Sequence, residues 1–308
     1  MSELPATLTY FGNMQKIGQV LNRCALPAVS AQNLFDPFLP HEHSAMPFSS
    51  EGLVESATKY IVQAILGKSP PRGQPNHPLQ KAVNRWRAEN RFNSDAEIKE
   101  ALKGLLPTMV EKVYSEAMEM HNQWLDYANS KRIIPLFENY QSLNLWQLLA
   151  HSHKGVAIRF RCEASSVFKD AKPVVYSSQP AKTVSISEFT EYMVGNRGPV
   201  SLRPELIVLN QNSAYRKLKE WRLILDSTQE SEQWLTFEPD VIQSVYIGAL
   251  VPEKTVSQLQ KHLHKMNPAI SVYRSRTAEH EYALEFEKLE SLTESSDDSK
   301  ADDSVEGG

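Results

Sequence analysis

The feature that most constrains this chain is a change of period along its length. From Ser50 to about Tyr127 every patterned stretch repeats its apolar residues at helical spacing. Residues 7–38 and 132–290, on either side, break instead into short runs of β-branched and aromatic side chains. A sequence written with a 3.6-residue period cannot present one apolar face as a strand, so the two patterns specify different elements. They predict an α+β fold: a mixed, largely antiparallel sheet drawn from both flanks, with flanking helices and a helical insertion at about 50–130.

The first flank reads strand, helix, strand. "TLTYF" and "ALPAVS" bracket a segment in which Met14, Ile17, Val20 and Leu21 fall at helical spacing. The flank ends in "NLFDPF", where Pro37 keeps Asp36 out of the helical region and predicts a rigid turn. In the insertion, Leu53, Ala57, Tyr60, Ile61, Ala64 and Ile65 share one helix face. Ser94 and Glu97 form a capping box ahead of Ile98, Leu102, Leu105, Met109, Val113 and Trp124, and Pro107 predicts a kink or a split in that helix. The proline-rich "GKSPPRGQPNHP" between the two patterns reads as an exposed loop. The second flank supplies "RIIPLF", "GVAIRF", "KPVVYS", "WRLILD", "QWLTFE", "VIQSVYIG", "ISVYRS" and "YALEFE" as strands, with helices near 142–150, 185–195 and 253–266. Residues 1–290 are expected to form a single domain, followed by a disordered acidic tail at 291–308.

The net charge of -4 owes much to that tail, which carries six acids against Lys300. The rest of the chain is near neutral and has no electrostatic footprint for nucleic acid. Cys24 and Cys162 are too few for a disulfide framework, lack metal-ligand spacing, and read as core thiols. No basic region followed by an apolar run opens the sequence and no stretch suits a membrane span, so a cytoplasmic location is expected.

Candidate site residues come from polar groups set against apolar runs. The pairs His41/His43, His151/His153 and His262/His264 have strand-like ligand spacing, but no carboxylate or cysteine set completes a metal site. In "KLKEWRLIL", Glu220 and Arg222 alternate with Trp221, so they share one face of a strand. They are either a surface ion pair or a cleft pair able to hold a ribose hydroxyl and a phosphate. Glu138, ahead of an apolar helical stripe, divides between a helix-terminus anion and a site carboxylate. Asp36 divides between turn former and site carboxylate, and His151 in the turn "HSHKG" is a candidate for a cleft lip.

The blocks Leu8 to Phe11, Leu21 to Phe38, Pro135 to Phe160, Lys172 to Ser177, Lys217 to Leu225 and Ile242 to Pro252 resemble, in this order, domain-of-unknown-function family 2971, a bacterial and phage-associated group. The resemblance implies an ADP-ribosyltransferase-like layout with NAD as cofactor. On it, Tyr10 lies near the nicotinamide end, Glu138 beside the central element, and Glu220 is the catalytic glutamate. It also makes Gly155 a helix C-cap and sets His151 near the cleft. Phe137 stands where the family carries a serine, and Leu218 and Phe35 replace a glutamate and an asparagine of its pattern. A phenyl ring cannot hydrogen-bond a ribose, which points to a divergent or inert member. Two functions are therefore expected. One is a nucleotide-binding enzyme acting in phage-host conflict, with Glu220 and Glu138 catalytic and Tyr10, Asp36, His151 and Arg222 binding ligand. The other is an inert binding protein that meets a protein partner through Trp124 and Tyr127 of the helical insertion.

Overall fold

The computed structural model describes residues 3–34, 38–39, 46–67, 73–163, 166–227 and 233–290. Asp36, His41, His43 and the acidic tail at 291–308 lie outside the described residues. The chain opens with β1 (Thr7–Gly12), α1 (Met14–Arg23) and β2 (Ala25–Ser30), followed by helices α2 (Ser50–Leu66), α3 (Pro78–Ala88), α4 (Asp95–Leu102) and α5 (Leu106–Ser130). It continues through β3 (Lys131–Phe137), α6 (Leu143–Leu148), β4 (Val156–Arg161), β5 (Lys172–Pro173), β6 (Val175–Ser177), α7 (Ile186–Met193), α8 (Pro204–Val208) and β7 (Asn210–Asn212). It closes with β8 (Glu220–Asp226), β9 (Gln233–Thr236), β10 (Ile242–Ile247), α9 (Glu253–Met266), β11 (Ser271–Thr277) and β12 (Leu284–Lys288). The fold is α+β with a mixed, mostly antiparallel sheet and flanking helices. Among the described residues no helix is long and apolar enough to cross a membrane.

Local chemistry explains the element ends. Asn13 caps α1 by accepting from Lys16 N at 2.8 Å, and Ser49 caps α2 by accepting from Gly52 N at 3.1 Å. Ser94 accepts from Glu97 N at 3.4 Å, while the Glu97 carboxylate turns back to Asn93 N at 2.9 Å, one residue earlier than a standard capping box. Pro107 splits the long helical pattern rather than kinking it: α4 ends at Leu102, and Pro107 sits in the first turn of α5, where a missing N–H costs nothing. The "KPVVYS" run breaks into β5 and β6 at Val174, whose N–H donates to the Glu220 carbonyl at 3.0 Å.

The chain forms two compact units, each assembled from separated stretches. The first gathers Met1–Leu26, Leu136–Lys169 and Thr236–Gly308. Its strands run in the order β12, β11, β10, β4, β1 and the end of β3, all antiparallel except β10 with β11. The parallel pair is possible because α9 carries the chain back, burying Val256, Leu259 and Leu263 as it does so. Strand register sorts this sheet into two faces. Tyr10, Ile158, Val245 and Val272 lie on one face; Thr9, Phe11, Arg159, Tyr246 and Tyr273 lie on the other.

The second unit comprises Pro27–Pro135 and Asp170–Leu235. Its main core joins Leu53, Ile61, Val83, Trp86, Ile98, Leu102 and Val113 of α2 to α5 with Phe189, Met193 and Val194. The helical insertion is therefore not closed by residues 50–130 alone, because α7 arrives from far along the chain to fill it. A second cluster packs Trp124, Ala128, Ile133, Ile207 and Val208. Trp124 is fully buried and stacks on the half-buried Tyr127 at 6.0 Å, so Trp124 belongs to the core rather than to a free partner surface. Because Phe189 is almost wholly buried among α2 to α5, Phe189→Ala is expected to lower the unfolding free energy by about 3–5 kcal/mol. Chemical denaturation monitored by far-ultraviolet circular dichroism measures this loss.

Candidate functional site

The turn "HSHKG" organises the clearest site in the first unit. After α6, His153 N donates to the Trp146 carbonyl at 3.1 Å and Ser152 N to that of Gln147 at 3.2 Å. His151, Ser152 and His153 all take left-handed backbone conformations, with φ of 50°, 53° and 65°. Each such non-glycine residue costs about 1 kcal/mol or more, so something must hold the turn. The holding element is backbone packing. A Cβ on Gly248 would lie 2.2 Å from the His153 carbonyl oxygen, and one on Gly155 would lie 2.3 Å from that of Gly12. Leu250 N donates to the His153 carbonyl at 3.0 Å, and Gly248 N to that of Gly155 at 2.9 Å. Gly155 thus serves close backbone approach instead of the expected C-cap, because the left-handed positions fall on His151, Ser152 and His153, ahead of Lys154.

This turn places His153 against Trp146, with ring centroids 6.3 Å apart and planes 10° from parallel. Trp146 is fully buried and is fixed by its indole N–H, which donates to the Tyr140 carbonyl at 2.7 Å, and by an edge contact with Phe11 at 5.5 Å. His153 lines a cavity of about 730 Å³ whose wall also includes Asn144, Gln147, Leu250, Thr277 and Tyr282. Burial holds the His153 imidazole below its ordinary pKa of 6.5, so the neutral ring, one donor and one acceptor, faces this space. Leu250 and Tyr282 are largely exposed at the rim.

The residues singled out from sequence are distributed differently from that expectation. His151 is exposed on the strained turn and does not line the cavity; its neighbour His153 does. Tyr10 is 2 % exposed on the opposite face of the sheet from Thr9, with its hydroxyl unpartnered and its pKa pushed well above the ordinary 10 by burial. It does not line the cavity either. Glu138 is half-buried just after β3 and precedes α6 by several residues, so it is not the anion of that helix's first turn.

Glu220 and Arg222 lie in the second unit on β8, on one face as their spacing requires. They face neither solvent nor an open cleft. Arg222 is 1 % exposed, its Nε donates to Glu220 Oε1 at 2.7 Å, and its Nη1 donates to the Val208 carbonyl. The pair is internal to one strand rather than a bridge to another, because alternation sets the two side chains side by side. Trp221 and Leu223 are also buried, so both faces of the strand are covered here.

Other reactive groups are quiet. Burial pushes the Cys162 thiol up to about 11, and burial together with Glu238 raises that of Cys24, so neither is an activated nucleophile. Among the described residues no group of three or more His, Cys, Asp or Glu side chains is arranged to hold a metal ion. No protein-family model matches the chain, and no curated protein or solved structure matches it significantly.

Two measurements follow from this geometry. Glu220→Gln leaves the buried Arg222 charge uncompensated and is expected to cost about 3–5 kcal/mol, most of it recovered when Arg222→Met is added. A double-mutant denaturation cycle reads that coupling. His77 and His153 both have folded pKa values lowered by burial, so the unfolded chain takes up protons first as pH falls through 6.5. Stability is then lost on acidification, and the fall in Tm between about pH 7.5 and about pH 5.5 should shrink in His77→Gln and in His153→Gln.

Proposed function

We propose that the first unit is a binding module for a small organic ligand of nucleotide size, seated in the cavity beside His153. The observation that carries this reading is the strained turn: three left-handed residues are held by backbone contact so that one imidazole stacks on a buried indole and faces a cavity of about 730 Å³. A wall that is apolar over most of its area, with Asn144, Gln147, His153 and Thr277 as neutral polar groups and Glu279 and Glu281 as two acids, suits a planar heteroaromatic group with hydrogen-bonding edges.

The reading keeps the ligand class implied by the resemblance to family 2971, with NAD, ATP and ADP-ribose as the probes to try first. It does not keep Glu220 as a catalyst. That carboxylate is buried against Arg222, whose second donor is committed to a backbone carbonyl, so neither side chain is available to a ribose or a phosphate. Glu138 remains the half-buried carboxylate of the first unit through which any transferase-like chemistry would run. Binding without catalysis is favoured, in line with Phe137 standing where a hydroxyl would be needed.

Isothermal titration of the full chain with NAD, ATP and ADP-ribose tests the proposal. At least one should bind, and His153→Ala should weaken it by about tenfold or more through loss of the stacked ring. Absence of binding by all three, or binding lost in Glu220→Gln but intact in His153→Ala, would reject it.

A further inference from the structure

On the same face of the first unit's sheet as Phe11 and Tyr246 lies a second polar group, built around Arg159. Register aligns a row across four strands: Thr9 is opposite Arg159, Arg159 opposite Ser244, and Ser244 opposite Ser271. Arg159 is half-buried; its Nε donates to Thr7 Oγ1 at 2.9 Å, and its guanidinium lies 4.8 Å from the ring centroid of Tyr140. Tyr140 stacks on Tyr246 at 4.3 Å and Tyr246 on Tyr273 at 5.1 Å, while Ser244 donates to the Tyr246 hydroxyl at 3.2 Å. The guanidinium is therefore fixed in place from two sides. Among the described residues no carboxylate pairs with it, and its two terminal nitrogens make no hydrogen bond.

Contrast sharpens the point. Among the described residues the two buried arginines each meet a carboxylate: Arg222 meets Glu220, and Arg274 meets Glu253 at 3.4 Å together with the carbonyls of Ala249 and Val251, although its Nη1 has no hydrogen-bond partner. The row also contains Thr9, whose side chain is 0 % exposed and whose Oγ1 has no hydrogen-bond partner. A valine would fill that volume without leaving a buried hydroxyl unsatisfied, so packing does not account for a threonine there.

We propose that the Arg159 row is a binding site for a phosphate group. A guanidinium offers two free, forked donors suited to an oxyanion, and the unpartnered hydroxyl of Thr9 adds a neutral donor with no carboxylate in the row to repel it. The Tyr140 ring covers one face of the half-buried guanidinium, which lowers its screening by water and strengthens its attraction for an anion. A phosphate has more acceptor oxygens than a carboxylate and so matches this donor set better. The site stands apart from the cavity reading, since none of its residues lines that cavity.

The test is a titration of the full chain with inorganic phosphate, followed by thermal shift and calorimetry, against sodium chloride and acetate at matched ionic strength. AMP and adenosine form two further arms: phosphate and AMP binding without adenosine binding assigns the affinity to the phosphate, whereas adenosine binding alone reports the cavity. Wild type should bind phosphate, and Arg159→Gln should weaken it by at least about tenfold. Thr9→Val should weaken it several-fold while the free protein melts at the same temperature or higher, a pairing that a merely structural threonine would not give. Should Arg159→Gln fail to fold, Arg159→Lys and Thr9→Val carry the test. No phosphate response beyond the salt control, an equal response to acetate, or wild-type affinity in the Arg159 and Thr9 variants would overturn the proposal.

Discussion

The first unit depends on backbone meeting backbone where Gly12, Gly155 and Gly248 come together. These glycines sit at the end of β1, before β4 and after β10, and a side chain on Gly155 or Gly248 would collide with a carbonyl oxygen. Because two amide hydrogen bonds cross this junction, the strained turn between α6 and β4 has only one place to go. The indole of Trp146, the imidazole of His153 and the cavity wall follow from that placement. A local contact of a few atoms therefore sets the position of the site, and its energy is repaid by the sheet it closes.

Two arginines show how the same residue type serves opposite ends. Arg222 is wholly buried and every direction of its fork that the chain addresses is taken by the chain itself, so its charge is cancelled and it specifies the geometry of β8. Arg159 is half-buried, held by a hydroxyl and a ring that leave its charge standing. The difference lies in the partners rather than in the strand pattern. Both read from sequence as a cation inside an apolar run, and the one that drew notice, Arg222, is the one the chain neutralises.

Much of the architecture was legible because it rests on local periodicity. The helix at 253–266, an interruption at Pro107, and the strands at β1, β2, β4, β10 and β11 follow from residue spacing and backbone chemistry that act within a few residues, while the choice of a split over a kink did not. The site was less legible. His151 and His153 are indistinguishable in sequence, and only the left-handed turn turns one outward and the other onto Trp146. Leu250 and Tyr282 carry no signal at all, since an exposed apolar residue acquires meaning only from its neighbours. Arg159 did carry a signal, a charge in the middle of "GVAIRF", but whether a carboxylate pairs with it, and among the described residues none does, is a property of three dimensions.

The sequence by itself determined the helical zone at about 50–130 and most of the longer strands on either side, because hydrophobic spacing, caps and prolines act on the chain locally; the short α8 and β7 carried no such pattern. Tertiary structure decided the rest. It drew α7 into the core of α2 to α5, put Tyr10 and Trp124 out of reach, buried Glu220 with Arg222, and left Arg159 without a paired carboxylate among the described residues. Burial depends on what arrives from distant parts of the chain: Glu220 and Arg222 share one short window of sequence, but nothing in that window shows that both would be covered.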